Sequence, residues 1–411
     1  LPLSLFLLGY VAGPFLWSPI SEGGLGRRPV FCLGLLAFTA FVGSCAAART
    51  YGQLLVLRFL SGFFGAVPMT HSGALCGDIW SPKRRGTAMS FYSVATFSGP
   101  ALGPVVASFA ADRISWHWAF LIPTCFAAAL CFAVVFTLPE TYPPVLLSRV
   151  ARRLRQETGD ARIRSALELA KMRSQGLPRS RRIRMEAWRL LGTPFIMIAT
   201  EPIVAAVAAY ASCCYALIYL LFAAYPIIFS EVHRLGPGYS SLPFLAILVG
   251  AVFSVPVTLW YQRLYLRAVE RDGRHTPEQR LPPAAAGGPL IVIAFLWLGW
   301  AGQHQSVHWI VPTLSGVLQG LASVLIFRSA QTYLLDCYER NAASALASNV
   351  VLRSVCGAAF PLFAPSMFHR LGVGWACTVL AAIMLVLCPV PFVFERYGER
   401  LRAGSRFAGG R

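Results

Sequence analysis

The chain has 411 residues, of which 56% are hydrophobic and only 13% are charged, a balance that excludes an ordinary soluble globular protein. Its formal net charge of +19 would indicate a nucleic-acid partner if the cations covered one face, but they concentrate in loops between apolar spans. Eleven cysteines lie mostly inside those spans, without the spacing of metal ligands or of a disulfide framework. We therefore expect a polytopic membrane protein that needs no metal, cofactor or nucleic acid.

Apolar spans follow one another along the chain, and most approach the ~20 residues that a helical crossing requires. The span from Gly288 to Gly302 is the shortest. The pattern predicts an all-α fold with eleven crossings, which begin near Leu1, Pro29, Leu54, Thr87, Trp116, Thr193, Tyr239, Gly288, His308, Ala342 and Val373.

Lysine and arginine are distributed unevenly between the two sets of alternating loops. One set, with the carboxyl terminus, holds most of them, whereas the other holds only Arg49, Arg113, Arg234 and Arg370. Because basic loops stay on the cytosolic side, we expect the central loop and the carboxyl terminus to be cytosolic.

Arg58 lies within an apolar span. Arg58 at mid-span would be unfavourable by about 2.5–3.5 kcal/mol on insertion scales, so we expect it to face a partner or a wet cavity rather than lipid. The alternative is an arginine that extends to the outer membrane interface.

The next span carries paired glycines and prolines. Gly99 and Gly103 share one helix face, and Pro100 and Pro104 form an adjacent row. Such a face permits close helix contact, and each proline permits a bend. The spacing does not distinguish a gating bend from ordinary packing.

Three segments together resemble signatures of the major facilitator superfamily. They are Arg58-x-x-x-Gly62, the Gly-Pro-x-x-Gly-Pro of residues 99–104, and Pro-Ile-Ser-Glu-Gly-Gly-Leu-Gly-Arg-Arg-Pro at residues 19–29. The combination is most similar to the twelve-helix fungal drug:proton antiporters, which include multidrug and polyamine exporters. The resemblance covers nearly the whole chain. It implies two pseudo-symmetric bundles in a plasma-membrane monomer that is a transporter rather than an enzyme, with protons and a small molecule as partners beside the lipid bilayer.

The resemblance also implies a domain organisation. The first span aligns with the second helix of the family, so the family's first helix is absent from this sequence; a fragment, a shortened gene model and a true eleven-helix protein all remain open. The expected units are an N-terminal bundle at residues 1–138 (helices 2–6), a basic cytosolic linker at 139–192, a C-terminal bundle at 193–395 (helices 7–12) and a cytosolic tail at 396–411. Within the linker, helical periodicity runs from Arg149 to Met172, and we expect this part to lie along the membrane surface.

A charged turn follows the first span. The resemblance implies that Glu22, Gly26, Arg27 and Arg28 form a latch at the cytosolic end of the bundles, with Asp78 as the partner of the arginines. The alternative is a positive-inside anchor and a turn.

The chain also repeats itself faintly. A shift of 258 positions, without a gap, pairs Asp78 with Asp336, Gly62 with Gly320, and Gly99 with Gly357. Two related halves would leave this pattern.

Two ionisable residues are expected deep in the C-terminal half. Glu201 is about 12 Å and Arg353 about 16 Å into helices that both enter from the cytosol, so they could pair. At helical spacing Ser212, Tyr215 and Tyr219 continue the face of Glu201, which predicts a cavity lining or, alternatively, a packing surface.

These residues suggest a mechanism for proton-coupled export of a drug, toxin or secondary metabolite. Glu201 would take up a proton from outside, loosen its hold on Arg353 or on the substrate, and release the proton inside. The alternative is a fixed ion pair.

A single buried carboxylate favours an apolar or weakly basic compound over a polyamine. A polyamine or organic-cation exporter and a nontransporting membrane sensor remain alternatives. An enzyme is disfavoured, because His71, His304 and His308 are isolated from any catalytic array.

Overall fold

The computed structural model describes residues 1–21, 25–80, 82–175, 192–272, 276–338, 342–403, 405 and 407. Helices dominate this part of the chain, and it contains no strand. In chain order they are α1 (Pro2–Ile20), α2 (Arg27–Ala46), α3 (Tyr51–Ile79), α4 (Pro82–Arg113), α5 (Trp118–Thr137), α6 (Pro143–Thr158), α7 (Ala166–Gln175), α8 (Thr193–Thr200), α9 (Pro202–Tyr225), α10 (Phe244–Asp272), α11 (Pro282–Gly302), α12 (Ile310–Cys337), α13 (Ala342–Leu387) and α14 (Pro389–Ala403).

The helices confirm the predicted all-α, multi-span fold. Among the described residues, nine helical segments are long and apolar enough to cross a membrane, and Pro2–Trp17 is a shorter apolar helix. The last of the nine, Ser344–Ala403, contains more than one helix, because Gly372 adopts a positive φ of 76° and interrupts α13. The eleven expected spans are therefore all helical.

Two predicted helix boundaries were wrong. The span expected to begin near Gly288 begins at Pro282, because proline is well suited to the first turn of a helix. The last helix continues to Ala403, and the expected bundle boundary at residue 395 stays a prediction. The single helix expected over residues 149–172 is divided into α6 and α7, since Gly159 adopts a left-handed conformation (φ 69°) that ends α6.

The helices group into two bundles, α1–α5 and α8–α14. Three helix pairs provide most of the contact between the bundles: α1 with α13, α4 with α10, and α4 with α12. In the last pair, the rings of Phe97 and Phe327 meet edge to face with their centroids 5.2 Å apart. The interface between the bundles is therefore partly aromatic.

Equivalent glycines bring the paired helices together in both halves. A Cβ atom at Gly62 would overlap the carbonyl oxygen of Phe6 in α1, and a Cβ atom at Gly320 would overlap that of Ile247 in α10. Such close approach of two backbones requires glycine. The third pair is not equivalent, because Gly357 packs against Tyr215 whereas a Cβ at Gly99 would meet open space.

Candidate functional site

A cavity of about 110 Å³ lies between the two bundles. The helices α1, α3 and α4 line one side, and α12 and α13 line the other. The cavity extends from Arg27, at the beginning of α2, to Arg353, which is eleven residues into α13. It is the inter-bundle space that a central binding site would use.

Arg353 lies at one end of this cavity and is only 3% exposed. Its guanidinium carbon is 5.1 Å from the ring centroid of Tyr215 and 5.2 Å from that of Phe327, which gives two cation–π contacts. The described residues offer the guanidinium no carboxylate within 4 Å, and the buried Nε has no hydrogen-bond partner. Two aromatic faces therefore accompany this buried cation, and no described carboxylate pairs with it.

An aromatic and aliphatic cluster closes the cavity beyond Arg353. It contains Leu7 and Phe97 from one bundle and Tyr215, Tyr219 and Phe327 from the other. The Tyr215 hydroxyl donates to that of Tyr219 at 3.0 Å. We call this cluster the plug, because residues from both bundles meet there at the end of the cavity.

The predicted polar stripe belongs to the region of the plug rather than to the cavity lining. Ser212, Tyr215 and Tyr219 are all buried, with exposures of 1%, 4% and 8%. None of the three lines the cavity, although Tyr215 reaches Arg353 at its end.

Glu201 is buried at a break between α8 and α9. It is 3% exposed and has extended backbone angles (φ −106°, ψ 103°), because a residue before proline avoids the helical region. Its Oε2 atom accepts a hydrogen bond from the Tyr338 hydroxyl at 3.0 Å. We expected a continuous helix here, in which Glu201 could form an ion pair with Arg353. The structure shows neither, since these two described residues form no ion pair and Glu201 lies outside the cavity lining.

Arg58 is placed in the N-terminal bundle, away from this cavity. Its guanidinium carbon is 4.6 Å from the ring centroid of Phe120 and 5.9 Å from that of Phe6. Arg58 thus extends from α3 toward α1 and α5. Aromatic faces accompany its charge there, and no described carboxylate pairs with it.

The predicted latch residues meet at the other end of the cavity. Arg27 Nε lies 2.5 Å from Asp78 Oδ2 at the end of α3. Arg28 donates from Nη2 to the carbonyl oxygen of Val135 at 2.9 Å. Glu22, the fourth charged residue of the expected latch, lies outside the described residues.

Glu140 completes this cluster, and sequence reasoning did not include it. Its carboxylate accepts the backbone N–H groups of Arg27 and Arg28 at 2.9 and 3.3 Å, at the positive end of the α2 dipole. Gly26 has a φ of 92°, and a Cβ there would overlap the Glu140 carboxylate. Two features of the sequence could have indicated this contact: Gly26, which precedes the two arginines, and Glu140, an acidic residue that follows α5.

The C-terminal half has ion pairs at the same end. Asp336, which the 258-residue shift pairs with Asp78, binds Arg280 Nε at 3.0 Å. Glu278 accepts two hydrogen bonds from Arg402, at 2.9 and 2.8 Å. Both halves therefore join their loops and helices through arginine–carboxylate pairs.

A close contact joins the bundles beside these pairs. Gln262 Oε1 in α10 accepts from Arg280 Nη1 at 3.1 Å and from Arg328 Nη2 at 2.9 Å. A Cβ at Gly86 in α4 would overlap the Gln262 amide. The two arginines thus hold this glutamine against the backbone of the other bundle.

The glycines of α4 do not form the expected close contact. No atom lies within 4 Å of the position that a Cβ would take at Gly99 or at Gly103, within the part of the chain that is described. Pro100 and Pro104 lie inside α4, which continues as one helix across them.

A model of the Major Facilitator Superfamily matches residues 1–317. The chain belongs to the major facilitator superfamily. Among curated relatives, the "Major facilitator superfamily multidrug transporter mdrA" of Aspergillus fumigatus is 38% identical over 410 residues, which are 99% of this chain and 66% of that protein. The "Efflux pump FUB11" of Gibberella fujikuroi is 36% identical over 409 residues, 99% of this chain and 70% of that protein.

A third relative is the "Major facilitator superfamily multidrug transporter FLU1" of Candida albicans, 36% identical over 412 residues, 99% of this chain and 66% of that protein. This major facilitator chain thus spans about two thirds of the length of the relatives it matches. The crystal structure of the human organic anion transporter MFSD10 (TETRAN) superposes with a TM-score of 0.64 over 95% of this chain and 82% of that one. At 18% identity this likeness shows the fold alone.

Proposed function

We propose that the chain exports a small organic compound from a fungal cell in exchange for protons, by exposing the central cavity alternately to the two sides of the plasma membrane. The observation that carries this proposal is the cavity between the bundles, with the plug at one end and the charged cluster of Arg27 and Asp78 at the other. The relatives described as multidrug transporters and efflux pumps support export rather than catalysis.

Alternating access requires contacts between the bundles at both ends of the cavity. Beyond the plug, the ring of Phe109 in α4 lies against Gly238 and meets the ring of Tyr239 with centroids 5.7 Å apart. Near the charged end, Gly86 meets Gln262. Rocking would separate one of these two contacts while it closes the other. With the basic loops on the cytosolic side, the Gly86 contact is the inner one.

Glu201 is the proposed proton site. An ionised carboxylate accepts a stronger hydrogen bond than a neutral one, so protonation would weaken the bond from Tyr338. Tyr338 directly follows α12, which lines the cavity, whereas Glu201 joins α8 to α9. Proton uptake would therefore loosen the connection between the break and the cavity wall, and it would act without direct contact between Glu201 and Arg353.

The test is transport in proteoliposomes with an imposed pH gradient and a panel of drug-like compounds. We expect at least one compound to move only when the outer bath is acidic. Glu201→Gln should abolish proton-driven efflux while it preserves compound binding, and Glu157→Gln, an exposed linker variant, should behave like the unaltered protein. Normal coupled efflux with Glu201→Gln would refute the assigned proton site, and flux that ignores the pH gradient would refute antiport.

A further inference from the structure

We propose that the cavity takes organic anions and that Arg353 binds their carboxylate group. This inference names the substrate class of the export site and therefore rests on the function proposed above. It replaces the sequence-based preference for an apolar or weakly basic compound with a preference for an anionic one.

The first support is the charge of the cavity wall. The ionisable side chains with full charges that line it are Arg27 and Arg353, accompanied by His71, and none of the described lining residues is a carboxylate. Arg27 is neutralised by Asp78. Arg353 thus contributes the uncompensated charge. A buried arginine without an anion is unfavourable, and a bound carboxylate would remove that penalty.

The second support is the hydrogen-bonding state of Arg353. A guanidinium carries five N–H donors in a planar fork, which fits a carboxylate bidentately. The rings of Tyr215 and Phe327 attract the charge but supply no carboxylate lone pairs. Nε has no partner among the described residues, and no described carboxylate pairs with the guanidinium, so Arg353 keeps hydrogen-bonding capacity that a ligand carboxylate would use.

The third support is the surroundings of the arginine. Asn349 is one helical turn before Arg353, lines the same cavity, and is 3% exposed with an Oδ1 atom that lacks a partner in the described structure. The unpaired Oδ1 atom would accept a hydrogen bond from a ligand hydroxyl, and the amide nitrogen can donate to a carboxylate. Met69, Met89 and Leu346 also line the cavity. Methionine side chains adapt to irregular apolar shapes, so they suit the organic part of an anion.

A polycation would meet the reverse situation. It would place its ammonium groups near Arg353 and find no carboxylate in the described lining. The like charges would repel, and the unpaired donors would remain unpaired. The cavity therefore disfavours the polyamine and organic-cation alternatives.

The test uses three probes of one shape: 2-naphthoate, 2-naphthamide and 2-naphthylmethylammonium. Binding to the detergent-solubilised protein and pH-driven flux in proteoliposomes are measured in parallel, with protein-free vesicles as background. We expect the anion to bind at least about 10-fold more tightly than the amide, and the ammonium to bind most weakly. Arg353→Gln should weaken naphthoate binding about 10- to 100-fold and naphthamide binding less than about threefold.

Asn349→Asp provides a second variant that keeps the side-chain shape and places a carboxylate one turn from Arg353. It should also abolish the preference for naphthoate, and Arg353→Lys should retain part of it. Equal losses for acid and amide, or a wild-type preference for the amide or the ammonium, would overturn the anion site. Proton-driven export of neutral compounds without naphthoate binding would overturn the anion site alone. Arg353-dependent naphthoate binding without flux of any compound would overturn the export function alone.

Discussion

The carboxylate of Glu140 accepts the backbone N–H of Arg27 at 2.9 Å, although 113 positions separate the two residues. The same carboxylate also accepts the backbone N–H groups of Arg28, Thr141 and Tyr142. Glu140 therefore fixes the end of α5, the turn after it and the beginning of α2, on which the Arg27–Asp78 ion pair depends.

Replacing Glu140 should destabilise the N-terminal bundle. Glu140→Ala leaves several backbone donors without their acceptor and should reduce the free energy of unfolding by about 1–3 kcal/mol, and Glu140→Gln should reduce it less because one oxygen remains. The measurement is thermal unfolding in detergent. Glu157→Gln is the control, since Glu157 is exposed in α6. Unchanged stability in Glu140→Ala would contradict this role.

The contact between Gly86 and Gln262 should respond to one added methyl group. Gly86→Ala would push the Gln262 amide away from Arg280 and Arg328, or would separate the two bundles, and should lower the free energy of unfolding by about 1–3 kcal/mol. The same change in a Gln262→Ala background should have a much smaller effect, which a double-mutant cycle measures. Gly52→Ala, with nothing within 4 Å, is the control. Equal effects in both backgrounds would show that the amide is not the obstacle.

If the cargo is a monoanion, export should depend strongly on membrane potential. One proton entering and one monoanion leaving each gain about 2.3 kcal/mol per 100 mV, and one pH unit adds about 1.4 kcal/mol. The total, about 6 kcal/mol, corresponds to a gradient of about 10⁴-fold, against several hundredfold for a neutral cargo. A potassium diffusion potential, negative on the cytosolic side, should therefore accelerate naphthoate efflux at constant pH. Efflux that ignores the potential would exclude this stoichiometry.

The contact between α6 and α7 in the linker should become less stable at acidic pH. Hydrogen bonds from the Arg155 side chain and from the backbone N–H of Ser165 lower the pKa of Glu168 below its ordinary value of 4.5. A lowered folded pKa means that the stabilisation is fully present above about pH 4.5 and is lost as the pH falls through the lower folded value. Hydrogen exchange in α7 should thus accelerate as the pH is lowered through this range, after correction for intrinsic rates. Glu168→Gln should show fast exchange already at pH 6, and equal protection in both proteins would exclude the contact.

The sequence predicted the fold well because apolar runs of about 20 residues indicate membrane spans without knowledge of their neighbours. The shift that paired Gly62 with Gly320 also identified two positions where backbones approach closely. Boundaries were less certain where proline or glycine changes the local backbone. Pro202 is the clearest example, since it separates α8 from α9 at Glu201.

The candidate site was less predictable, because partners are set by tertiary packing. Glu201 and Arg353 were expected at similar depths in the membrane, which allowed them to pair. The depth of a residue along a helix does not determine which side of the helix its side chain occupies. In the structure, Glu201 accepts a hydrogen bond from Tyr338. Arg353 instead makes cation–π contacts with Tyr215 and Phe327. Glu140 was overlooked because its partners are backbone groups, which no side-chain motif reveals.

The cavity of about 110 Å³ is smaller than the roughly 300–1,000 Å³ of sites that hold drug-sized molecules. Its walls must therefore move apart before a substrate of that size can enter. The rate of that opening would set an upper limit on the rate of transport. A compound that favours the narrow shape would then inhibit without resembling any cargo. Because the inhibitor and the cargo would bind different shapes, adding more of the transported molecule would shift the protein toward the open shape and oppose the inhibition.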